Sequence, residues 1–326
     1  MKFIQFSKAL KEKIEPVYLI DGDDAYFRDS AVETVRAALN LTQPLLNDFR
    51  YEGEALKGDR LVAFRDELYT LPFFDEKRLV RVYGFYPSEK EFSGVLQPYL
   101  EKPCESTVLL IVNAGKRTNA ADLKKKKLIV VDCNRETEET LSRWLFALMR
   151  RAGLSADADV CDLMVRYCAS DAARLKSETE KLKSLLGEGG RVTRQTVDAE
   201  IAKDTEYRIY ELTQAASARN FSSFTEILNE LTRKGMDEYA VLSSLTAHFK
   251  TLTEVSRFRG SDEAAQRTLN LKAYPLKKNR EICARLGKER VKEYYLCLYA
   301  LGAGARSGKY SKTGALSQAI AKIFFS

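Results

Sequence analysis

The turn after the first apolar segment is rich in carboxylates and reads Asp21-Gly22-Asp23-Asp24. Clustered carboxylates can hold a hard cation such as Mg²⁺, which makes a metal-dependent nuclease or phosphatase one hypothesis. Aspartate at such positions also caps helices and stabilises turns, so a purely structural role explains the same residues. The sequence leaves both explanations open.

The same turn lacks the groups that bind the phosphates of a nucleotide. A phosphate-binding loop needs glycine-rich backbone, a lysine for the terminal phosphates and a Ser or Thr for magnesium. This turn has one glycine and no lysine, and its carboxylates would repel a triphosphate. Gly308-Lys309 has a suitable dipeptide, but Tyr310 replaces the hydroxyl residue and no strand is predicted before it. We therefore predict no ATP hydrolysis and no bound cofactor.

Cysteine and histidine give little support to a metal site or to acid–base catalysis. The six cysteines are Cys104, Cys133, Cys161, Cys168, Cys283 and Cys297. None has CxxC spacing, so we predict no metal centre and interpret them as small apolar residues in a reducing compartment. The one histidine, His248, falls in a helical apolar pattern, which favours a structural role over catalysis.

Two adjacent aromatics in the segment 70–78 (TLPFFDEKR) are the second candidate site. Pro72 ends a predicted helix, and Phe73 and Phe74 follow it directly. Neighbouring side chains of an extended segment point to opposite sides, so both rings cannot easily enter the core. Exposed paired aromatics usually mark a partner site. The alternative, that one or both rings pack under the edge of a sheet, stays open.

Positive charge is concentrated at the end of the chain. The net charge is +7, and from Ser256 onward 15 Lys and Arg face 5 Asp and Glu. After Glu293 there is no acidic residue. A basic end on a nearly neutral body suggests a polyanionic partner, with nucleic acid first, although a solvated basic face explains it equally well.

Short β-prone segments alternate with helical patterns over the first 135 residues. The predicted strands are 17–20, 48–51, 78–83, 107–112 and 127–131, and the predicted helices are 26–39, 59–70 and 88–100. This alternation predicts a parallel sheet with helices on both faces.

From residue 136 onward apolar residues recur at helical spacing, and no further strand is predicted. The predicted helices are 136–151, 157–167, 171–186, a short one after Thr193, 207–219, 221–233, 237–258, 274–286, 288–306 and 313–325. Residues 203–206 predict a hinge between two helical blocks. No apolar run reaches the roughly 18 residues needed to span a bilayer, and charges interrupt the first 16 residues, so we predict a cytoplasmic protein without a membrane partner.

Four segments are similar, in the same order, to the delta-subunit family of bacterial DNA polymerase III clamp loaders. They are 16–27 (PVYLIDGDDAYF), 71–80 (LPFFDEKRLV), 171–182 (DAARLKSETEKL) and 306–308 (RSG). Asp24 departs from the Glu that this family often has, and Ser177 departs from a common Asn. The resemblance extends over essentially the whole chain.

The resemblance implies an AAA+-like fold with a degenerate nucleotide site. The implied domains are an α/β domain at 1–135, a helical lid at 136–204 and a helical collar at 205–326. It implies a subunit without catalytic activity of its own, which binds the beta sliding clamp and helps to open it for loading on primed DNA. The implied partners also include the gamma/tau ATPase subunits, the delta-prime subunit and primer–template DNA.

Two groups of site residues follow from the resemblance. The clamp-binding element of the family is a hydrophobic pair on a helix-to-strand loop, which corresponds here to Phe73 and Phe74, with Leu71 and Pro72 shaping the loop. The basic end could face DNA through Arg306, Lys309, Tyr310 and Lys312, whose cations would contact phosphates while the tyrosine stacks on a base. The alternatives for these charges are other loader subunits or solvent.

One further function keeps the same fold. A degenerate AAA+-like adaptor outside replication would have a different protein partner and no affinity for a sliding clamp.

Overall fold

The computed structural model describes residues 1–115, 128–271 and 273–326, which form two compact units. The first unit consists of Met1–Val165 and Ser170–Val197, and the second of Arg166–Ala169 and Asp198–Ser326. The three-domain division drawn from the sequence, with boundaries after residues 135 and 204, stays a prediction.

A five-stranded parallel sheet is the centre of the first unit. Its strands are β1 (Val17–Asp21), β2 (Asp48–Glu52), β3 (Arg78–Tyr83), β4 (Thr107–Asn113) and β5 (Ile129–Asp132). They lie in the order β2-β3-β4-β1-β5, and every neighbouring pair is parallel. The central strands β1 and β4 are buried along their whole length, as continuous apolar runs require. The predicted parallel sheet is thus confirmed, although Lys127 of the last predicted strand lies outside the described residues.

Helices surround this sheet and continue to residue 200. They are α1 (Phe3–Glu12), α2 (Ala25–Leu39), α3 (Pro44–Asn47), α4 (Asp59–Glu67), α5 (Glu89–Glu91), α6 (Gln97–Glu101), α7 (Glu138–Arg151), α8 (Ala158–Tyr167), α9 (Ala172–Leu186) and α10 (Arg194–Glu200). The helices α1 and α3 were not predicted. Asp24 and Asp171 cap α2 and α9 through their side chains, which explains where these two helices begin.

The helix predicted at 88–100 is confirmed as a continuous helical segment, although its middle turn, Phe92–Leu96, is π-helical between α5 and α6. Pro98 has no N–H to donate to the carbonyl four residues earlier, and the turn widens just before it. The prediction of no further strand after residue 136 is wrong, because β6 (Ser155–Ala156) and β7 (Arg191–Val192) pair as a short parallel ladder. Two-residue strands carry no periodicity that a sequence pattern can reveal.

The second unit is a helical bundle. Its helices are α11 (Thr205–Ala218), α12 (Phe221–Arg233), α13 (Glu238–Arg257), α14 (Asp262–Leu269), α15 (Ala273–Leu286), α16 (Lys288–Arg306) and α17 (Lys312–Phe325). The long helix α13 packs against α15, α16 and α17, and the rings of Phe249 and Tyr294 meet edge to face at 5.4 Å in its core. Of these helices only α14 was not predicted. Within the described ranges, no helix has the length and apolar character needed to cross a bilayer.

Candidate functional site

The loop between α4 and β3 exposes apolar side chains. We call Leu71, Pro72, Phe73 and Phe74 the aromatic loop. Phe73 is 52% exposed and Phe74 is 82% exposed, and their ring centroids are 4.3 Å apart in an edge-to-face arrangement. Because solvent reaches both rings, neither packs beneath the sheet edge, and the pair forms one apolar projection.

The backbone of the aromatic loop is not extended, contrary to the expectation from sequence. Phe74 has a φ of 58°, in the left-handed region that non-glycine residues rarely adopt. This turn brings the two rings to the same side instead of sending them in opposite directions. A left-handed phenylalanine costs free energy and persists only where the surrounding structure holds it.

Asn47, the last residue of α3, holds one side of the aromatic loop. Its side chain is buried, with the residue only 1% exposed. The Asn47 Oδ1 accepts a hydrogen bond from the Phe73 N–H at 2.8 Å, and its Nδ2 donates to the Phe73 carbonyl at 2.7 Å. One amide therefore pairs both backbone groups of Phe73, which fixes the position of this residue without using its ring.

Asp75 holds the other side of the aromatic loop. Its carboxylate accepts hydrogen bonds from the Thr42 N–H and hydroxyl at 2.9 and 2.8 Å, from the Gln43 N–H at 3.1 Å and from Asn47 Nδ2 at 2.7 Å. These donors, the Thr42 N–H foremost, lower the pKa of the Asp75 carboxyl to about 2. The carboxylate is therefore charged, and the loop tied to residues 42–47, at any pH near neutrality.

Arg78 supports the base of the aromatic loop from below. The residue is buried, and its guanidinium lies 4.6 Å from the centroid of the Phe49 ring. It donates to the Thr70 carbonyl at 3.3 Å and forms a salt bridge with the Glu67 carboxylate at 3.4 Å. The end of α4 and the start of β3 are thereby joined beneath the exposed rings.

The sheet topology explains why these residues meet. Strands β2 and β3 are parallel neighbours, with Asp48 paired to Leu79, so their first residues lie at the same edge of the sheet. Residues 42–47 precede β2 and the aromatic loop precedes β3. The sequence pattern indicates the loop but not the roles of Asn47 and Asp75, because those roles depend on this strand pairing across about thirty residues.

We expect Asn47→Ala to loosen the aromatic loop while leaving the rings unchanged. The substitution removes the hydrogen bonds to the Phe73 N–H and carbonyl, and the loss of a hydrogen bond typically costs about 0.5–1.5 kcal/mol. Urea unfolding should show a loss of that size, and hydrogen exchange should show faster exchange of the Phe73 amide. Gln43→Ala is the matched control, because Gln43 uses only its backbone N–H toward Asp75. Equal protection of Phe73 in both variants would contradict the assigned role.

The carboxylate turn after β1 lies at the opposite edge of the sheet. Asp21 Oδ1 accepts from the Gly115 N–H at 2.9 Å, and Asp23 Oδ1 accepts from the Arg135 N–H at 2.8 Å. Asp24 Oδ1 accepts from the Phe27 N–H at 3.0 Å as the cap of α2. Each carboxylate thus binds backbone donors, which is the turn and capping chemistry considered from sequence. No cluster able to hold a metal ion occurs among residues 1–115, 128–271 and 273–326.

The basic residues at the end of α16 lie near one another but differ in their surroundings. Arg306 and Lys309 are exposed, whereas the Tyr310 ring packs closely against Gly304. The Lys309 ammonium lies 5.4 Å from the centroid of that ring, and Lys312 pairs with Asp237 at 2.7 Å. The contact with Gly304 leaves Tyr310 partly exposed, and contact of these four residues with DNA stays a prediction.

Ser217 and His248 form a hydrogen bond that superficially suggests a catalytic pair. The Ser217 Oγ and His248 Nε2 are 2.7 Å apart, but Ser217 is fully buried in the helical bundle. No substrate can reach this hydroxyl without unfolding of the bundle. The structural role that the sequence favoured for His248 is confirmed.

His248 makes the stability of the bundle depend on pH. Burial disfavours the imidazolium and lowers its pKa from 6.5 to about 4. Between these values the unfolded chain binds a proton that the folded chain does not, so stability falls as pH falls through this window. At 1.4 kcal/mol per pH unit, the loss from pH 6 to 4.5 is about 2 kcal/mol. The free energy of unfolding, measured in urea at several pH values, should fall less steeply between pH 6 and 4.5 in His248→Gln than in the wild type. The same pH dependence in both proteins would contradict this role of His248.

Comparison with known proteins shows similarity to one family. Residues 206–323 match the family described as DNA polymerase III delta subunit, C-terminal domain. These residues lie within Asp198–Ser326 of the second unit. The DNA polymerase III subunit delta of Bacillus subtilis (strain 168) is 20% identical over 293 residues, which cover 85% of this chain and 83% of that protein. The resemblance to the delta family read from the sequence is confirmed.

A solved structure extends the similarity to the fold. The Bacillus subtilis DNA clamp loader delta protein matches with a TM-score of 0.63 and 17% identity, covering 99% of this chain and 100% of that chain. The predicted fold class, a parallel α/β sheet domain followed by helices, is confirmed. The family match and the Bacillus subtilis relative are both DNA polymerase III delta proteins, and the solved structure shows a shared fold.

Proposed function

We propose that this chain is a non-ATPase delta subunit that binds the beta sliding clamp through the aromatic loop and helps to open it for loading on primed DNA. The observation that carries the proposal is the exposed Phe73–Phe74 pair, held by Asn47 and Asp75 in a chain related to the delta family. Large exposed apolar side chains held in one conformation are typical of the centre of a protein interface.

The rigidity of the aromatic loop favours tight binding. A flexible loop loses conformational freedom when it docks, and that loss is subtracted from the affinity. Here the hydrogen bonds of Asn47 and Asp75 order the loop before any partner arrives. The free energy gained by burying the two rings is therefore available for binding.

The same free energy is of the size needed to open a ring. A closed clamp opens when a partner binds the open form better than the closed form. Moving an equilibrium from 1:99 to 99:1 takes about 5.5 kcal/mol of preference. Burying a phenylalanine contributes roughly 1.5–3 kcal/mol, so two rings with their neighbours supply an appropriate amount if they fit a pocket that only the open clamp offers fully.

The remaining parts of the chain have proposed roles in assembly. We assign residues 1–135 to contact with the clamp, 136–204 to a helical lid and 205–326 to a collar that assembles with the gamma/tau ATPase subunits and delta-prime. In that assembly the basic residues after α16 would face primer–template DNA. Phosphate contacts of this kind are independent of sequence and weaken as salt rises.

Ring opening can be measured directly. A clamp from the same organism, carrying a fluorescence donor and acceptor on either side of its subunit interface, should lose energy transfer when this chain is added without ATP. The same loss of energy transfer is expected with the variant Phe325→Ala at the same concentration, because its exposed ring lies at the end of α17, far along the chain from the aromatic loop. The variant Phe73→Ala/Phe74→Ala should leave the energy transfer unchanged. An unchanged signal with the folded wild-type chain would contradict opening by this subunit.

A further inference from the structure

A second exposed apolar pair lies on α3, beside the aromatic loop. Leu45 is 94% exposed and Leu46 is 48% exposed. Two adjacent leucines on a four-residue helix contribute little to a core at this exposure, and their hydration is unfavourable. Packing within this chain therefore does not account for the two leucines, whereas contact with a partner would.

The hydrogen bonds around the aromatic loop join the two pairs into one surface. Gln43 and Asn47 flank Leu45 and Leu46, and they bond to Asp75 and Phe73, which flank Phe74. Both segments precede neighbouring parallel strands, β2 and β3, at the same edge of the sheet. A partner that covers Phe74 is therefore brought against α3 as well.

We infer that Leu45 and Leu46 extend the clamp-binding surface, an inference that rests on the proposed function. The partner proposed for the leucines is the sliding clamp, because the hydrogen bonds that hold the aromatic loop also hold the residues on either side of the leucine pair. Exposed apolar patches mark interaction sites when they are contiguous, and the hydrogen bonds from Gln43 and Asn47 hold the segments that carry the two pairs side by side. The rings form the centre of this surface, and the leucines form a neighbouring apolar contact on α3.

The shared supports also give the surface a fixed geometry. Asn47 bonds to Phe73 and Asp75 at once, so α3 and the aromatic loop cannot shift independently without breaking these bonds. A partner pocket complementary to the rings is then complementary to the leucines in the same orientation. This defines the direction from which the clamp approaches, with its surface spanning the starts of β2 and β3.

The test compares clamp binding by variants of the full chain without nucleotide. Leu45→Ser/Leu46→Ser should weaken binding about 10- to 100-fold, the change expected when two partly covered leucines together lose the burial of about one whole leucine side chain. Leu185→Ser is the matched control, since it replaces an exposed leucine on α9, and it should bind as the wild type does. Leu45→Ser alone, at a position almost fully in solvent, keeps the fold and should already weaken binding.

A contact readout separates direct docking from an indirect effect. A photo-reactive p-benzoylphenylalanine at position 45 should crosslink to the clamp, and the same group at position 185 should not. Loss of binding in Phe73→Ala/Phe74→Ala with wild-type binding in Leu45→Ser/Leu46→Ser would overturn this inference and leave the proposed function intact. If neither double variant changes binding, the proposed function itself fails. If the leucine variant alters only self-association of the chain, the occupant is a second copy and the inference is again overturned.

Discussion

Replacing Phe73 and Phe74 together with alanine is expected to abolish measurable binding to the sliding clamp at micromolar concentrations. The two rings are exposed to solvent and lie on a loop whose backbone is already ordered. Burial of each contributes roughly 1.5–3 kcal/mol, so their joint removal should weaken binding by about 100-fold to 10,000-fold. Titration of a labelled clamp with each variant measures this change.

The single variants should differ in size. Phe74 is the more exposed of the two, and Phe73 has its backbone bound by Asn47, so we expect Phe74→Ala to have the larger effect on affinity. Because the rings touch each other, the two effects should not add. Both variants should unfold at the wild-type urea concentration, since exposed rings stabilise the free chain little. Wild-type affinity in a folded double variant would refute the assignment of this loop.

Replacing Gly22 with alanine is expected to destabilise the first unit by about 3 kcal/mol or more, because overpacking against rigid backbone has no inexpensive relaxation. A Cβ on Gly22 would lie 2.0 Å from the Cys133 carbonyl carbon and 2.4 Å from the Asn134 nitrogen. The turn after β1 and the end of β5 are in direct backbone contact there. The substitution must separate them, and with them the hydrogen bond from the Asp24 N–H to the Cys133 carbonyl at 3.0 Å.

The matched control for this variant is Gly302→Ala. Gly302 is helical within α16 and has no heavy atom near the position of a new Cβ, so alanine should be neutral or stabilise the chain by up to about 1 kcal/mol. Equilibrium unfolding in urea, followed by circular dichroism, compares the two variants with the wild type. A wild-type midpoint for Gly22→Ala would show that the two segments are not packed as described.

Sequence patterns predicted the elements whose apolar residues recur at a regular spacing. The strand β3 runs over 78–83 as expected, since Leu79, Val80 and Val82 enter the core and no other apolar run competes with them. The helix α16 likewise matches its predicted range, 288–306. Such elements can be predicted from sequence because the spacing of their apolar residues alone determines which face is buried.

The support of the candidate site was not predictable in the same way. Asn47 and Asp75 are polar residues in short connections, and nothing in their local sequence shows that they meet. Their roles arise from the pairing of β2 with β3, which is a property of the folded sheet. The left-handed Phe74 was missed for the same reason, because its neighbours impose a conformation that phenylalanine does not favour. The Leu45-Leu46 pair did carry a signal, as two leucines outside every predicted element.

The most direct test of the account is equilibrium binding of this chain to the sliding clamp of the same organism in the absence of ATP. We predict saturable binding that needs no nucleotide, is retained in Phe325→Ala and is lost in Phe73→Ala/Phe74→Ala. A folded, monomeric chain that shows no binding would contradict the clamp-binding function. That result would favour an adaptor with the same fold and a different protein partner.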